Sequence, residues 1–177
     1  MKKLLLACGS AASLLLLASF AFAPRPTSGP GAIEDMLRGM FQAMDRGDHA
    51  AAKRCLATGD TPFPVLVWDL DLENKPVAVQ GAAAAAKYLD DLLDGAAKAK
   101  AKIATNLVAV HADCHSPELG YATIEFDQTV VVDGKSDSSH FRATVLVSMD
   151  KGGQWHVFHW HASLVPPAAQ AGKSAAK

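Results

Sequence analysis

The sequence predicts an α+β fold, with N-terminal helices packed on a curved antiparallel sheet. Two observations carry that reading. Apolar residues at helical spacing dominate the first half of the mature chain, and long alternating runs separated by turn residues fill the second. Runs of helices followed by runs of strands give two layers, each burying one apolar face against the other.

The chain has 177 residues and a formal net charge of −1, but its first stretch reads as an export signal. "MKK" is a short basic start, and the uncharged run "LLLACGSAASLLLLASFAFA" ends in Ser19, Ala21 and Ala23, small residues suited to signal peptidase. A signal peptide is therefore expected over residues 1–23. The mature protein is expected to begin between Phe22 and Pro24 and to be exported, to the periplasm or outside the cell. Two alternatives stay open. The apolar run is about long enough to remain as a membrane anchor, and Cys8 in "LLAC" is a lipidation candidate, although only Leu4 to Ala7 precede it as an apolar core. After signal cleavage no membrane association is expected.

The mature chain is the size of one domain, roughly 150 residues, enough to bury a core without metal or several disulfides. Of the 17 Lys and Arg residues, Lys2 and Lys3 leave with the signal, so 15 basic residues face 18 acidic ones, a balance of −3. No basic stripe is interleaved with aromatics, so nucleic acid is not an expected partner. Cys55 and Cys114 either pair in an oxidising compartment or stay buried as free thiols, since spacing gives no distance between them.

Residues 24–31, "PRPTSGPG", read as a linker. The domain is expected over 32–165. Ile33, Met36, Leu37, Met40, Phe41 and Met44 form the buried stripe of a first helix, which Gly47 closes. Asp48 caps a short second helix, His49 to about Leu56. "VLVWDLDL" alternates Leu66, Trp68, Leu70 and Leu72 against Val65, Val67, Asp69 and Asp71, and "ENKP" turns it back into "VAVQ". After Gly81 comes an alanine-rich helix that buries Tyr88, Leu89, Leu92 and Leu93 and is expected to end at Asp94-Gly95. Four strands complete the domain: "IATNLVAVHADCH", "YATIEFDQTVVV", "SSHFRATVLVSM" and "WHVFHWHASLV". The turns between them are "HSPELG", "VDGKSD" and "DKGGQ". Residues 166–177 have nothing to bury and read as a disordered tail.

Strict alternation in the last strand puts Trp155, Val157, His159, His161 and Ser163 on one face and His156, Phe158, Trp160, Ala162 and Leu164 on the other. By hydrophobicity alone the second face would meet the core. The order of elements, ending in W-x-x-x-H-x-H-x-S at Trp155, His159, His161 and Ser163, resembles the SnoaL-like branch of the nuclear-transport-factor-like superfamily. That branch is similar in turn to the association domain of calcium/calmodulin-dependent protein kinase. The resemblance runs from about Ile33 to Val165. It implies a cone-shaped fold whose helices and bent sheet enclose a pocket, often in homodimers formed through the outer face of the sheet. It also implies that the histidine face lines the cone, with Trp155, His159, His161, Ser163 and Tyr121 as ligand-binding candidates, and that Phe158, Trp160 and Leu164 meet a partner subunit.

No single activity is implied, because a fold hosts many functions. One reading is an exported protein that binds a small apolar molecule or serves as a dimeric non-catalytic module. The other is an isomerase, cyclase or hydrolytic lyase using the pocket histidines as acid or base. A third possibility is that His159 and His161 simply satisfy their hydrogen bonds inside the fold. His-x-His, with His111, Asp113 and His115 nearby in the pattern, is too thin for a metal site, so neither metal nor cofactor is expected. Tyr121, Thr123, Glu125 and Asp127 share a strand face, as do Asp69 and Asp71; the ordinary fate of such residues is a solvated sheet face. The sequence contains no G-x-S-x-G, P-loop, G-x-G-x-x-G or H-E-x-x-H motif.

Overall fold

A computed structural model describes residues 28–59, 64–68 and 75–165. The expected signal, most of the linker, Asp69, Asp71 and the tail lie outside the described residues.

Helix α1 spans Pro30–Asp45, starting at a proline whose missing N–H costs nothing in the first turn. It buries Ile33, Leu37, Met40 and Phe41, the expected stripe. Its end is a Schellman turn, with Gly47 at φ 67° and Asp48 N–H donating to the Ala43 carbonyl at 2.8 Å. The Asp48 carboxylate then accepts from Ala51 N–H at 2.9 Å and starts α2, His49–Arg54. Helix α3 spans Ala82–Lys98 and runs through Gly95, where the sequence suggested a stop. One interior glycine costs about 1 kcal/mol, and the helix formers Ala96, Ala97 and Lys98 carry the helix past it. Lys100, at φ 52°, makes the left-handed exit instead.

Strands β1 (Pro64–Trp68), β2 (Val77–Gln80), β3 (Lys102–Cys114), β4 (Leu119–Val132), β5 (Lys135–Met149) and β6 (Trp155–Leu164) form one sheet in the order β2-β1-β6-β5-β4-β3. β3 to β6 are the expected antiparallel meander. β4 and β5 join through Asp133-Gly134, both at positive φ, a two-residue hairpin turn with the chemistry its sequence advertises. β1 pairs antiparallel with β2 and parallel with β6, which extends the sheet beyond the meander.

The helices cover one face of this sheet. Phe126, fully buried on β4, lies 5.0 Å from Phe41 of α1 and 5.2 Å from Phe141 of β5 between ring centroids. Near the far end of β4, Gly120 lets α1 come close: a β-carbon there would stand 2.6 Å from the Ile33 side chain. At the open edge of the sheet, Asp45 of α1 accepts from the Thr105 backbone N–H at 3.0 Å and from its hydroxyl at 2.9 Å, which occupies an edge group of β3.

Candidate functional site

The last strand does not alternate simply. Leu146 of β5 is opposite His159, and Val147, the next residue of β5, is opposite Val157. Phe158 is therefore an extra residue, a β-bulge, and everything after it changes face. Trp155 and Val157 point inward before the bulge, and Trp160 and Ala162 do so after it, all four buried. His159, His161 and Ser163 stand on the outer face. A second irregularity between Leu107 and Ala109 in β3 has the same form, with Val108 left over and 53% exposed.

Inside, between the helices and the sheet, lies a cavity of about 70 Å³. Met40, Phe41 and Met44 of α1 form one wall, Tyr88, Leu89 and Leu92 of α3 another, and Leu66, Trp68, Phe141, Val157 and Trp160 the floor; Leu56 and Gln128 complete it. The aromatic rings hold one another in place. Trp68 meets Phe141 edge to face at 5.7 Å, Trp160 meets Phe41 in the same manner at 5.7 Å, and the two indoles are 6.2 Å apart. Tyr88 and Gln128 are the polar members of the described lining. The buried indole nitrogens of Trp68, Trp155 and Trp160 have no acceptor among the described residues.

Outside, cross-strand register sets the polar residues in rows. His111, Thr123, Thr144 and His161 succeed one another across β3, β4, β5 and β6, and Glu125, Arg142 and Ser163 form the next row. These side chains line an open groove of about 590 Å³. Arg142 Nε donates to Glu125 Oε1 at 2.8 Å, and His140 Nδ1 is 2.8 Å from Asp127 Oδ1. Along the same face, Tyr121 is opposite Leu146, which is opposite His159.

The expected placement of the candidate ligand residues is therefore corrected. His159, His161, Ser163 and Tyr121 are on the sheet face away from the cavity, and Trp155 faces inward among the core residues without forming part of the cavity wall. Trp160, expected at a subunit interface, is 3% exposed in the core, and Leu164 packs against that core as well. The bulge at Phe158 is the cause. Among the described residues there is no cluster of His, Cys, Asp or Glu able to hold a metal. Three strand spacings separate His111 from His161, about 14 Å, far beyond a shared coordination shell. Cys55 and Cys114 are free thiols, and burial raises the pKa of Cys55.

Titratable groups elsewhere tie elements together. Asp90 of α3 accepts from Lys53 Nζ at 2.8 Å and lies 2.9 Å from His49 Nδ1; the Lys53 and His49 hydrogen bonds hold its carboxyl below the usual range. The His156 ring donates through Nδ1 to the Arg54 carbonyl at 3.0 Å and sets Nε2 3.0 Å from Asp150, binding the start of β6 to the end of α2.

This geometry can be set beside that of known proteins. The SnoaL-like domain model matches residues 33–168. The chain belongs to the SnoaL-like domain family. No match is found among curated proteins. Solved structures similar to this SnoaL-like chain include a cystatin-like-fold protein from Caulobacter vibrioides, at 20% identity and TM-score 0.57 over 77% of this chain and 89% of that one. A protein assigned as a calcium/calmodulin-dependent protein kinase II association domain, from Xanthomonas campestris, aligns at 15% identity and TM-score 0.56 over 76% and 86%. The β subunit of benzoate 1,2-dioxygenase from Burkholderia mallei aligns at 10% identity and TM-score 0.61 over 80% and 93%. At these identities the likeness is one of fold, the expected α+β arrangement of helices on a curved sheet, and it carries no activity across.

The cavity wall is only partly legible in the sequence. The apolar stripes of α1 and α3 and the alternation of Leu66 and Trp68 are visible there as buried faces, but their convergence on one cavity depends on β1 lying beside β6, a pairing that no local pattern encodes.

Proposed function

We propose that this SnoaL-like chain is an exported, dimeric, non-catalytic protein that binds one small apolar molecule in its cone. The observation that carries this reading is the composition of the cavity. Its described lining contains no His, Asp, Glu, Lys, Arg, Ser or Cys. Of the side chains that serve general acid–base catalysis, the described wall holds the Tyr88 phenol alone, with no second titratable group beside it to complete a pair. A concave, mostly apolar lining with a few polar atoms is the chemistry of a small-molecule site, and at about 70 Å³ this one takes only a ligand the size of a single ring. The test is a titration of the mature protein with ring-sized hydrocarbons, read by the indole resonances of Trp68 and Trp160. Perturbation of those resonances supports the cavity as the site; unchanged resonances at millimolar ligand overturn it.

Export is supported by the "MKK" start and the apolar run that succeeds it. N-terminal sequencing of the protein from its native host should find Phe22 to Pro24 first, and a retained Met1 refutes it. The homodimer is assigned to the outer face, where Tyr121 is 43% and Leu119 44% exposed beside Leu146. A two-fold partner would bury on the order of 1,200–2,000 Å² in total. Tyr121→Glu is then expected to convert dimer to monomer in sedimentation, and a wild-type monomer at micromolar concentration refutes the dimer.

The alternative of an isomerase, cyclase or hydrolytic lyase has one observation in its favour. His111, Glu125, Arg142, His161 and Ser163 share the outer groove. It predicts that His161→Ala abolishes turnover of a substrate without weakening binding in the cone.

A further inference from the structure

Strands β4 and β5 run further than the helix that covers them. Asp45, the last residue of α1, is fixed to Thr105, and Thr105 is opposite Gln128. Past that level β4 continues to Val132, and β5 returns from Lys135 after the Asp133-Gly134 turn. Alternation along β4 puts Val130 and Val132 on the same face as Phe126 and Gln128, the face turned towards the core and cavity. Both valines are half-buried, and residues 133–138 are exposed.

The cavity and this overhanging hairpin share one residue. Gln128 belongs to the cavity lining and also to the lining of a groove of about 400 Å³ on the hairpin. Met44, Trp68, Tyr88, Leu92 and Gln128 are the half-buried members of the cavity lining and the rest are buried, so its open side lies among these five. A chain leaving the cavity beside Gln128 enters the groove without crossing the core. From Gln128 to Val132 the groove then offers about 13 Å of strand, at roughly 3.3 Å per residue.

The two spaces differ in chemistry. At about 70 Å³, with roughly 10–15 Å³ needed per water, the cavity holds about five to seven non-hydrogen atoms between apolar walls, the size of one ring. The groove has an apolar strip, Val130 and Val132, bordered by the hydroxyls of Ser136 and Ser139. Asp133 and Asp137 set two carboxylates against the single ammonium of Lys135, a local balance of −1 that disfavours an anion.

We propose that the ligand is an amphiphile: a single apolar ring occupies the cone, and a short aliphatic chain leaves past Gln128, lies over Val130 and ends in an uncharged polar group at the hairpin. This rests on the reading of the cone as the binding site and adds the part of the ligand for which the cone has no room.

The probes are toluene, 4-phenyl-1-butanol and 4-phenylbutyrate, one ring with no chain, a chain with a neutral end and a chain with an anionic end. In the mature wild-type protein the alcohol is expected to bind roughly tenfold tighter than toluene, the contribution of about two buried methylenes, and to bind tighter than the carboxylate. Methyl resonances of Val130 should move with the alcohol and not with toluene. Val130→Asp should remove the gain of the alcohol over toluene and leave toluene binding unchanged. If toluene binds and the alcohol gains nothing, the cone stands as a binding site and the groove is wrong. A gain that persists in Val130→Asp, with the valine methyls unmoved in the wild type, puts the chain elsewhere and overturns the proposal. Carboxylate binding as tight as that of the alcohol overturns it too, and failure of all three probes to bind overturns the cone reading with it. Should Val130→Asp not fold, the wild-type methyl shifts and a milder Val130→Thr variant decide between these outcomes.

Discussion

The two faces of one sheet, built from the same strands, have opposite chemistry. Inward, Phe126, Phe141, Val145, Trp160 and Ala162 are buried and form the floor of the core and cavity. Outward, one residue away along each strand, are Glu125, Arg142, Thr144 and His161, which are exposed or half-buried. Packing density makes the inner face sensitive to a single methylene group. On the outer face, outside the subunit contact proposed around Tyr121, water replaces whatever is removed and change costs less. Reactive side chains in this protein are therefore concentrated where stability constrains them least, and the enclosed volume is left to shape and apolar contact.

The neighbours Trp160 and His161 give the largest contrast. Trp160→Ala opens a cavity beside Phe41 and Trp68 and should cost about 3–5 kcal/mol, while His161→Ala should cost no more than ~1 kcal/mol. Urea denaturation of both variants checks this, and equal losses would mean that the faces are not energetically distinct.

Gly120→Ala is the next largest. The added methyl meets Ile33 and Val147 side chains and the Asp113 carbonyl oxygen, with the closest atom 2.6 Å away. The expected loss is about 1–3 kcal/mol, read as a lower urea midpoint with an unchanged slope. A neutral result would show that α1 can retreat from the sheet without consequence.

Deleting Phe158 sharpens the contrast in a different way. Without the extra residue, plain alternation still puts Trp155, Val157, Trp160 and Ala162 inward. The variant should fold with both faces intact and lose on the order of 1–2 kcal/mol as the bend and the Phe158 side chain go. Indole fluorescence of a buried Trp160 reports the outcome. If the deletion exposes Trp160, the bulge is not what sets the faces.

The smallest effect concerns the helices over the cavity. Because its folded pKa is depressed, Asp90 contributes stability above the unfolded carboxylate value, about pH 4, and this contribution disappears as pH falls through the lower folded value. Asp90→Asn should lower the melting temperature slightly at pH 7 and leave it unchanged at pH 2. An equal loss at both pH values would show that its charge plays no part.

The sequence alone determined most of the architecture. The stripe of Ile33, Leu37, Met40 and Phe41, the cap at Asp48, the Asp133-Gly134 turn and the four alternating runs are local signals, each produced by the period or backbone preference of a few neighbouring residues. The SnoaL-like assignment came from their order. What only the tertiary structure decided was which way the last strand faces. In "WHVFHWHASLV" both faces carry aromatics and histidines, so hydrophobicity and family likeness pointed in opposite directions, and strict alternation made one of them wrong for every residue at once. A single bulge at Phe158 resolves this by taking Trp155 and Val157 from one set and Trp160, Ala162 and Leu164 from the other. Bulges form where a bending sheet must keep both halves of a strand packed, and that demand comes from α1 and the neighbouring strands, not from the residue that is left over.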